Sequence, residues 1–243
     1  MKAVRTRSFL CALLLGAVAL FTTGCLSGVK EPYSLEERIP VMEDSLSRTV
    51  RYADGFASDL CVVEDEGSFD ESYVTSEAAA LFDVSDRETL YSKEAFERLY
   101  PASITKVMTA LVAIKNGDLN ARVVVTDDAV ITESGATLCG IKPGDTLTLE
   151  QLLYGLMLPS GNDAGAAIAV HIAGSIDKFA DMMNQEAASL GATGTHFVNP
   201  HGLNDPDHYT TAYDLYLIFN EALKYPVFRQ IVGTTSYTAN YHD

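Results

Sequence analysis

The sequence has few basic residues. It carries 17 Lys and Arg against 33 Asp and Glu, which gives a formal net charge of −16. A nucleic-acid-binding protein is expected to present a basic patch, so this balance argues against a nucleic acid as partner. It equally argues against binding to an anionic membrane surface through charge alone.

The N-terminal apolar run is too short to span a bilayer comfortably. It extends from Phe9 to Phe21, with basic residues before it and the small residues Thr22, Thr23 and Gly24 after it. A basic, an apolar and a small-residue segment in this order are typical of a bacterial export signal. We therefore predict a signal peptide over residues 1–24, with an uncleaved anchor as the alternative.

Cysteine is scarce, with four residues in the whole chain. Cys25 directly follows the small residues, an arrangement that resembles a lipoprotein processing site and predicts a lipid anchor. Thr22 stands where leucine is more usual, so ordinary signal cleavage remains the alternative. Cys61 and Cys139 lie outside the nucleophile motif described below, so we expect unlinked or structural thiols there.

The remaining chain divides into a tether and one domain. Residues 25–55 are charged and polar with two prolines, which favours a linker, and residues 56–243 would form the domain. Two short strands are predicted between Ser76 and Tyr91, and several helices follow, which indicates a mixed α/β (α+β) fold. The helices are predicted from about Ala102 to Ile114, from the capping box at Thr148 to Pro159, from Ala164 to Ala173, from Ser175 to Leu190, and from the capping box at Thr211 to before Pro226.

A Ser-x-x-Lys motif, Ser103 to Lys106, opens the first predicted helix. Residues three apart share a helical face, so the hydroxyl and the amine can meet. A serine hydroxyl is a weak nucleophile and needs a base, and lysine can act as one only if burial and neighbours lower its pKa. The amide of Ser103, in the first turn, is expected to stabilise an oxyanion. One apolar stripe of the helix is predicted to be buried, formed by Ile104, Val107, Met108 and Leu111.

A second motif, Ser160-Gly161-Asn162, lies between two apolar segments. A tight turn there would project Ser160 and Asn162 into a cleft while the flanking helices stay rigid. The amide of Asn162 offers an acceptor and two donors, which suits a peptide backbone. The alternative is an ordinary helix–helix turn in which the Ser and Asn side chains cap the helices.

Taken together, the two motifs resemble those of penicillin-binding proteins and β-lactamases. The wider strings Pro101–Ala110, Pro143–Ala173 and Thr195–Leu203 resemble the low-molecular-weight serine-type D-alanyl-D-alanine carboxypeptidases in particular. The resemblance implies the transpeptidase-like fold of that family, an antiparallel sheet with a helical cluster.

The resemblance also implies a role for each motif residue. Ser103 would be acylated by the penultimate D-alanine carbonyl of a peptidoglycan stem peptide that ends in D-Ala-D-Ala. Lys106 would be the general base, Ser160 would relay the proton, and Asn162 would bind substrate. β-Lactams would inhibit by acylating Ser103. No cofactor is implied, and the protein would act at the extracytoplasmic face of the bacterial membrane or in the cell wall.

The family's third motif, Lys-Thr-Gly or a close variant on a later strand, does not occur in this sequence. We therefore expect an incomplete catalytic domain, without the later sheet strands. The early strands would then have an unpaired edge and an uncovered face. On this expectation the chain would neither fold well alone nor acylate efficiently.

Two other functions are alternatives to a carboxypeptidase, and three histidines raise the question of a metal site. A β-lactamase of the same fold would need a deacylating glutamate, and Glu186 lies in the right interval but without the usual Leu-Asn after it. A non-catalytic cell-wall-binding protein would not need the four motif residues. No zinc-binding helix motif accompanies His196, His201 and His208, so no metal site is expected.

Overall fold

A computed structural model of the chain describes residues 60–63 and 74–241. The predicted signal peptide (1–24), the lipidation site at Cys25 and the tether (25–55) lie outside these residues, and they stay predictions. In the part of the chain that is described, no helix is long and apolar enough to cross a membrane.

The first helix, α1 (Thr105–Asn116), lies at the centre of the helical cluster. Every residue from Thr105 to Ala113 is buried, so the prediction of a single buried stripe was wrong. Ile104, which was assigned to that stripe, is 50% exposed. The physical reason is that other helices enclose α1, and its polar side chains can be buried because they find hydrogen-bond partners.

Five further helices surround α1, and local capping signals set the start of three of them. Thr148 and Gln151 form the predicted capping box. Ser175 and Thr211 accept hydrogen bonds from backbone amides of the following turn, which are otherwise without intrahelical partners. The helices are α2 (Leu149–Met157), α3 (Asn162–Ala173), α4 (Ile176–Ser189), α5 (Ala212–Ala222) and α6 (Pro226–Val232).

The helices share one apolar core. It contains Met108 and Leu111 of α1 together with Leu152, Ile168 and Phe179, all of which are essentially inaccessible to solvent. Burying each such side chain contributes roughly 1.5–3 kcal/mol to folding. This core encloses α1 from Thr105 to Ala113, and the N-terminal end of α1 carries Lys106 of the Ser-x-x-Lys motif.

Two small antiparallel sheets accompany the helices. Strands β1 (Ala79–Asp83) and β2 (Glu88–Lys93) pair with a bulge after Leu81, and β3 (Arg122–Val124) pairs with β4 (Thr146–Thr148). Phe82 packs its ring 4.3 Å from that of Tyr216 on α5. On the first sheet Leu81 and Leu90 are about half exposed, at 56% and 47%. The α+β class is confirmed, and the uncovered sheet face stays a prediction.

Candidate active site

Ser103 lies in a 3-10 turn, Ala102–Ile104, directly before α1. The prediction that the α-helix itself begins near Ala102 was therefore wrong by three residues, because α1 begins at Thr105. Ala102 adopts the left-handed conformation, with φ 47°, which costs a non-glycine residue about 1–2 kcal/mol. The turn leaves Ser103 exposed to solvent at the end of a buried helix.

A loop ninety-nine residues later supports this turn. Gly202 in that loop has φ +83°, and a Cβ atom there would lie 1.8 Å from the carbonyl oxygen of Ala102. Asn199 holds the loop by accepting hydrogen bonds through Oδ1 from the amides of His201 and Gly202, at 3.3 and 2.7 Å. Only glycine fits at position 202, because the backbone of the turn occupies the space of a side chain.

Lys106 lies beneath Ser103 with 2% of its surface exposed. Its Nζ donates hydrogen bonds to Ser103 Oγ at 3.2 Å and to the carbonyl oxygen of His201 at 2.8 Å. Burial lowers the pKa of Lys106 to about 8, against the opposing effect of the Asp163 carboxylate. Roughly a tenth of the amine is then neutral at pH 7, far more than for an ordinary lysine. The predicted contact between the Ser103 hydroxyl and the Lys106 amine is present.

The Ser160 turn, residues 159–162, joins α2 to α3. Ser160 has φ 62°, and its Oγ is buried without a hydrogen-bond partner among the described residues. Asn162 is buried at the first position of α3, and its backbone N–H donates to the carbonyl oxygen of Thr137 at 2.8 Å. No side chain caps α3, whose N-cap is Gly161, so the alternative in which Ser and Asn serve as caps does not hold.

The unpartnered hydroxyl of Ser160 has an energetic cost. A buried polar group without a partner destabilises a fold by about 1–3 kcal/mol, and the left-handed backbone at Ser160 adds to this. Strain and unsatisfied groups of this kind concentrate at functional sites. The hydroxyl of Ser160 is therefore a candidate functional group.

Two buried histidines, His201 and His208, lie close to the 3-10 turn that carries Ser103. His208 Nδ1 accepts from the amide of Val198 at 3.1 Å, so its Nε2 carries the proton and donates to Thr105 Oγ1 at 2.8 Å. His201 Nδ1 accepts from the amide of Leu203 at 3.3 Å. Burial, before other causes, lowers the pKa of both imidazoles to about 4. Both are neutral structural groups at neutral pH.

The third histidine of the sequence cluster, His196, bonds through Nδ1 to the carbonyl oxygen of Asp207 at 2.6 Å. Within residues 60–63 and 74–241 there is no group of three or more His, Cys, Asp or Glu side chains arranged to hold a metal ion.

Sequence reasoning missed three contributors to the site. Asp163 was overlooked although it adjoins the Ser-x-Asn motif, and its carboxylate accepts four backbone hydrogen bonds. The link from Thr105 to His208 joins residues 103 positions apart, and sequence carries no signal for it. The carbonyl acceptor of Lys106 at His201 was also missed, because every residue carries a carbonyl group.

Glu186, the candidate deacylating base of a β-lactamase, lies far from Ser103. It forms an ion pair with Lys115 at 2.6 Å. Lys115 is nine residues beyond Lys106 on the same helix, which at 1.5 Å per residue places the pair roughly 14 Å from Lys106. Glu186 therefore cannot contact an acyl group on Ser103.

The chain is similar in sequence to D-alanyl-D-alanine carboxypeptidases. The family model for D-alanyl-D-alanine carboxypeptidase, peptidase S11, matches residues 66–242. The chain is 36% identical over 163 residues to the carboxypeptidase DacF of Bacillus subtilis, covering 65% of this chain and 42% of the relative. It is 46% identical over 138 residues to DacB2 of Mycobacterium tuberculosis, covering 56% and 46%. The chain thus spans about half the length of the curated relatives it matches.

Solved structures match in fold as well. The Streptomyces K15 DD-transpeptidase superposes with a TM-score of 0.63 at 36% identity, over 68% of this chain and 66% of that one. The D-alanyl-D-alanine carboxypeptidase of Mycobacterium tuberculosis H37Rv gives 0.60 at 39% identity, over 64% and 59%. The chain belongs to the serine-type D-alanyl-D-alanine carboxypeptidases of peptidase family S11 and has their DD-transpeptidase fold.

Proposed function

We propose that this chain carries the nucleophile and the general base of a penicillin-sensitive serine carboxypeptidase that removes the terminal D-alanine from peptidoglycan stem peptides. The observation that supports this most strongly is the 3.2 Å contact between the buried amine of Lys106 and Ser103 Oγ. An exposed hydroxyl next to a buried amine of lowered pKa is the arrangement that activates a serine for acyl transfer.

The proposed reaction begins with proton transfer. The neutral fraction of Lys106 takes the proton of Ser103, and Oγ attacks the carbonyl carbon of the penultimate D-alanine. The amide of Ser103, ahead of the positive end of α1, stabilises the oxyanion. The C–N bond then breaks, the nitrogen of the leaving D-alanine receives the proton through Ser160, and an ester to Ser103 remains.

Water completes the cycle. Lys106, neutral again after the proton has passed to the leaving amine, removes a proton from water, which attacks the ester carbonyl. The bond between the carbonyl carbon and Ser103 Oγ then breaks, and Lys106 returns the proton to Oγ. The products are free Ser103 and a stem peptide shortened by one D-alanine. A β-lactam would form the same ester, which would hydrolyse slowly because Glu186 lies too far from Ser103 to activate the deacylating water. Asn162 is proposed to bind the substrate backbone.

Location is part of the proposal. Residues 1–24 would direct export, and a lipid on Cys25 would anchor the protein at the extracytoplasmic face of the membrane. Stem peptide and β-lactam would both reach Ser103 there. Mass spectrometry of the mature N-terminus tests the anchor: a diacylglyceryl group on Cys25 supports it, and an unmodified residue other than Cys25 contradicts it.

The activity is tested by D-alanine release from a diacyl-Lys-D-Ala-D-Ala tripeptide. We expect a low rate for the 243-residue chain, because it contains no Lys-Thr-Gly triplet, and a further loss of about 10³-fold or more in Ser103→Ala. Ser189→Ala, which removes an exposed hydroxyl, is the matched control and should release D-alanine at the parent rate.

The same assay separates the alternatives. Rapid hydrolysis of benzylpenicillin by the parent chain would identify a β-lactamase instead. Stem-peptide binding that is unchanged in Ser103→Ala, without D-alanine release, would identify a non-catalytic cell-wall-binding protein.

A further inference from the structure

The carboxylate of Asp163 joins two segments that are distant in sequence. It is 2% exposed, and Oδ1 accepts from the amides of Cys139 and Ala164, both at 2.9 Å. Oδ2 accepts from the amides of Gly140 and Ile141, at 2.8 and 3.2 Å. Three of the four donors belong to residues 137–141, which we name the Cys139 loop.

Close packing shows that the Cys139 loop is fitted to the Ser160 turn. A Cβ atom at Gly161 would lie 2.9 Å from Cys139 Cβ and 2.8 Å from Asp163 Oδ1. A Cβ atom at Gly155 would lie 3.2 Å from Cys139 Sγ. Glycine at both positions therefore lets the loop approach the turn that carries Ser160, and the bond between Asn162 N and Thr137 O closes the contact.

The same carboxylate acts on the catalytic amine. Lys106 is in contact with the Ser103 hydroxyl and the His201 carbonyl, neither of which is charged. Asp163 is the acidic group whose charge opposes the effect of burial on the pKa of Lys106. The imidazole of His201 is neutral at pH 7, and Glu133 and His208 act on that imidazole.

We propose that Asp163 is a positioning residue: its four hydrogen bonds hold the Cys139 loop against the Ser160 turn. The proposal rests on the proposed function in so far as Lys106 is the general base. The same carboxylate would in addition act through its charge on the amine of Lys106, so the pKa of that amine is a second readout of Asp163.

Two readouts test the proposal, and neither requires turnover. The first is NMR titration of the Lys106 Cε signal in protein with ¹³C-labelled lysine, assigned by its loss in Lys106→Arg. The second is alkylation by iodoacetamide, read for each cysteine by peptide mass spectrometry. Cys139 is half-buried, and burial first and Asp163 second raise the pKa of its thiol to about 12. Cys61 is fully buried and reports on the overall fold.

In Asp163→Asn the negative charge is lost, and the NH₂ group cannot accept a hydrogen bond. We expect the pKa of Lys106 to fall below its parent value and the alkylation of Cys139 to rise on the order of tenfold. In Asp163→Glu the charge remains but the longer side chain misplaces the oxygens. Cys139 alkylation should rise there too, while the pKa of Lys106 stays closer to the parent value than in Asp163→Asn.

Asp214→Asn is the matched control. Asp214 is also a buried carboxylate, and it accepts from Thr195 Oγ1 at 2.6 Å. Asp214→Asn should leave both the pKa of Lys106 and the alkylation of Cys139 unchanged.

Three results would overturn the proposal: a pKa of Lys106 in Asp163→Asn that equals or exceeds the parent value, a Cys139 that stays protected in both variants, or alkylation of Cys61 in both variants. The last result would show that Asp163 holds the whole cluster together rather than the loop. If Cys61 is alkylated in Asp163→Asn but not in Asp163→Glu, the alkylation of Cys139 in Asp163→Glu decides. A rise supports the proposal, and a Cys139 that stays protected contradicts it. Loss of D-alanine release alone, with both readouts as expected, would count against the proposed function and leave Asp163 in its role.

Discussion

At the scale of single residues, the site depends on buried polar groups whose pKa values are lowered by burial. Lys106 is buried in contact with a hydroxyl and a carbonyl group, and among residues 60–63 and 74–241 no carboxylate bonds to it directly. An adjacent ion pair would hold the amine protonated and unable to act as a base. The fold thus gives up some stability at this position to obtain a reactive lysine.

The buried histidines predict acid sensitivity. His201 and His208 have pKa values of about 4 in the folded chain against 6.5 as the ordinary value. As the pH falls through 6.5 the unfolded chain takes up protons first, so stability is lost between pH 6.5 and 4, up to about 3 kcal/mol for each histidine. Urea unfolding at pH 7 and 4.5 should show this loss. His208→Gln should reduce it, and His171→Gln, at an exposed position, should not. An equal loss in parent and His208→Gln would contradict the assignment.

At the scale of elements, the 3-10 turn Ala102–Ile104 depends on the loop that contains Gly202. Gly202 and Gly174 have nearly the same φ, +83° and +82°, but a Cβ atom at Gly202 would lie 1.8 Å from Ala102 O, whereas nothing lies within 4 Å at Gly174. Gly174→Ala should cost about 1 kcal/mol of unfolding free energy from backbone strain alone. Gly202→Ala should cost more, because the turn must move, and it should abolish penicillin labelling of Ser103. Equal stability and equal labelling of the two variants would show that the turn does not rest on Gly202.

Element boundaries could be predicted where the signal is local. The start of α2 follows from Thr148 and Gln151, which lie within four residues of each other and bond to each other's backbone. The two motifs likewise identify Ser103, Lys106, Ser160 and Asn162 without a structure. The sequence could not show that α1 is enclosed on all sides, because burial depends on which other helices pack around it.

The sequence was also silent where a contact uses backbone groups. Asp163 binds amides from residues 22–24 positions earlier, and amides are the same at every position. Ser103 lies in a 3-10 turn rather than in α1, next to a backbone contact with Gly202 that spans a hundred residues.

At the scale of the whole molecule, the described residues form a helical cluster around α1, accompanied by two small antiparallel sheets. The chain covers 42% and 46% of the two curated relatives described above. The cluster contains all four motif residues, and the outer face of the first sheet exposes Leu81 and Leu90. Exposed apolar positions on paired strands favour contact with further structure. The central claim concerns the cluster: that Lys106 activates Ser103.

The most direct test of that claim is the pH dependence of Ser103 acylation by a fluorescent penicillin, mapped by peptide mass spectrometry. Because the neutral amine is the base, and its pKa is about 8, the acylation rate should rise with pH up to about 8 and then level off. The adduct should lie on Ser103 alone and be absent from Ser103→Ala, and in Lys106→Arg its rate should fall by about 10²-fold or more. An adduct that persists in Ser103→Ala, or a rate that is the same in Lys106→Arg at every pH, would contradict the account.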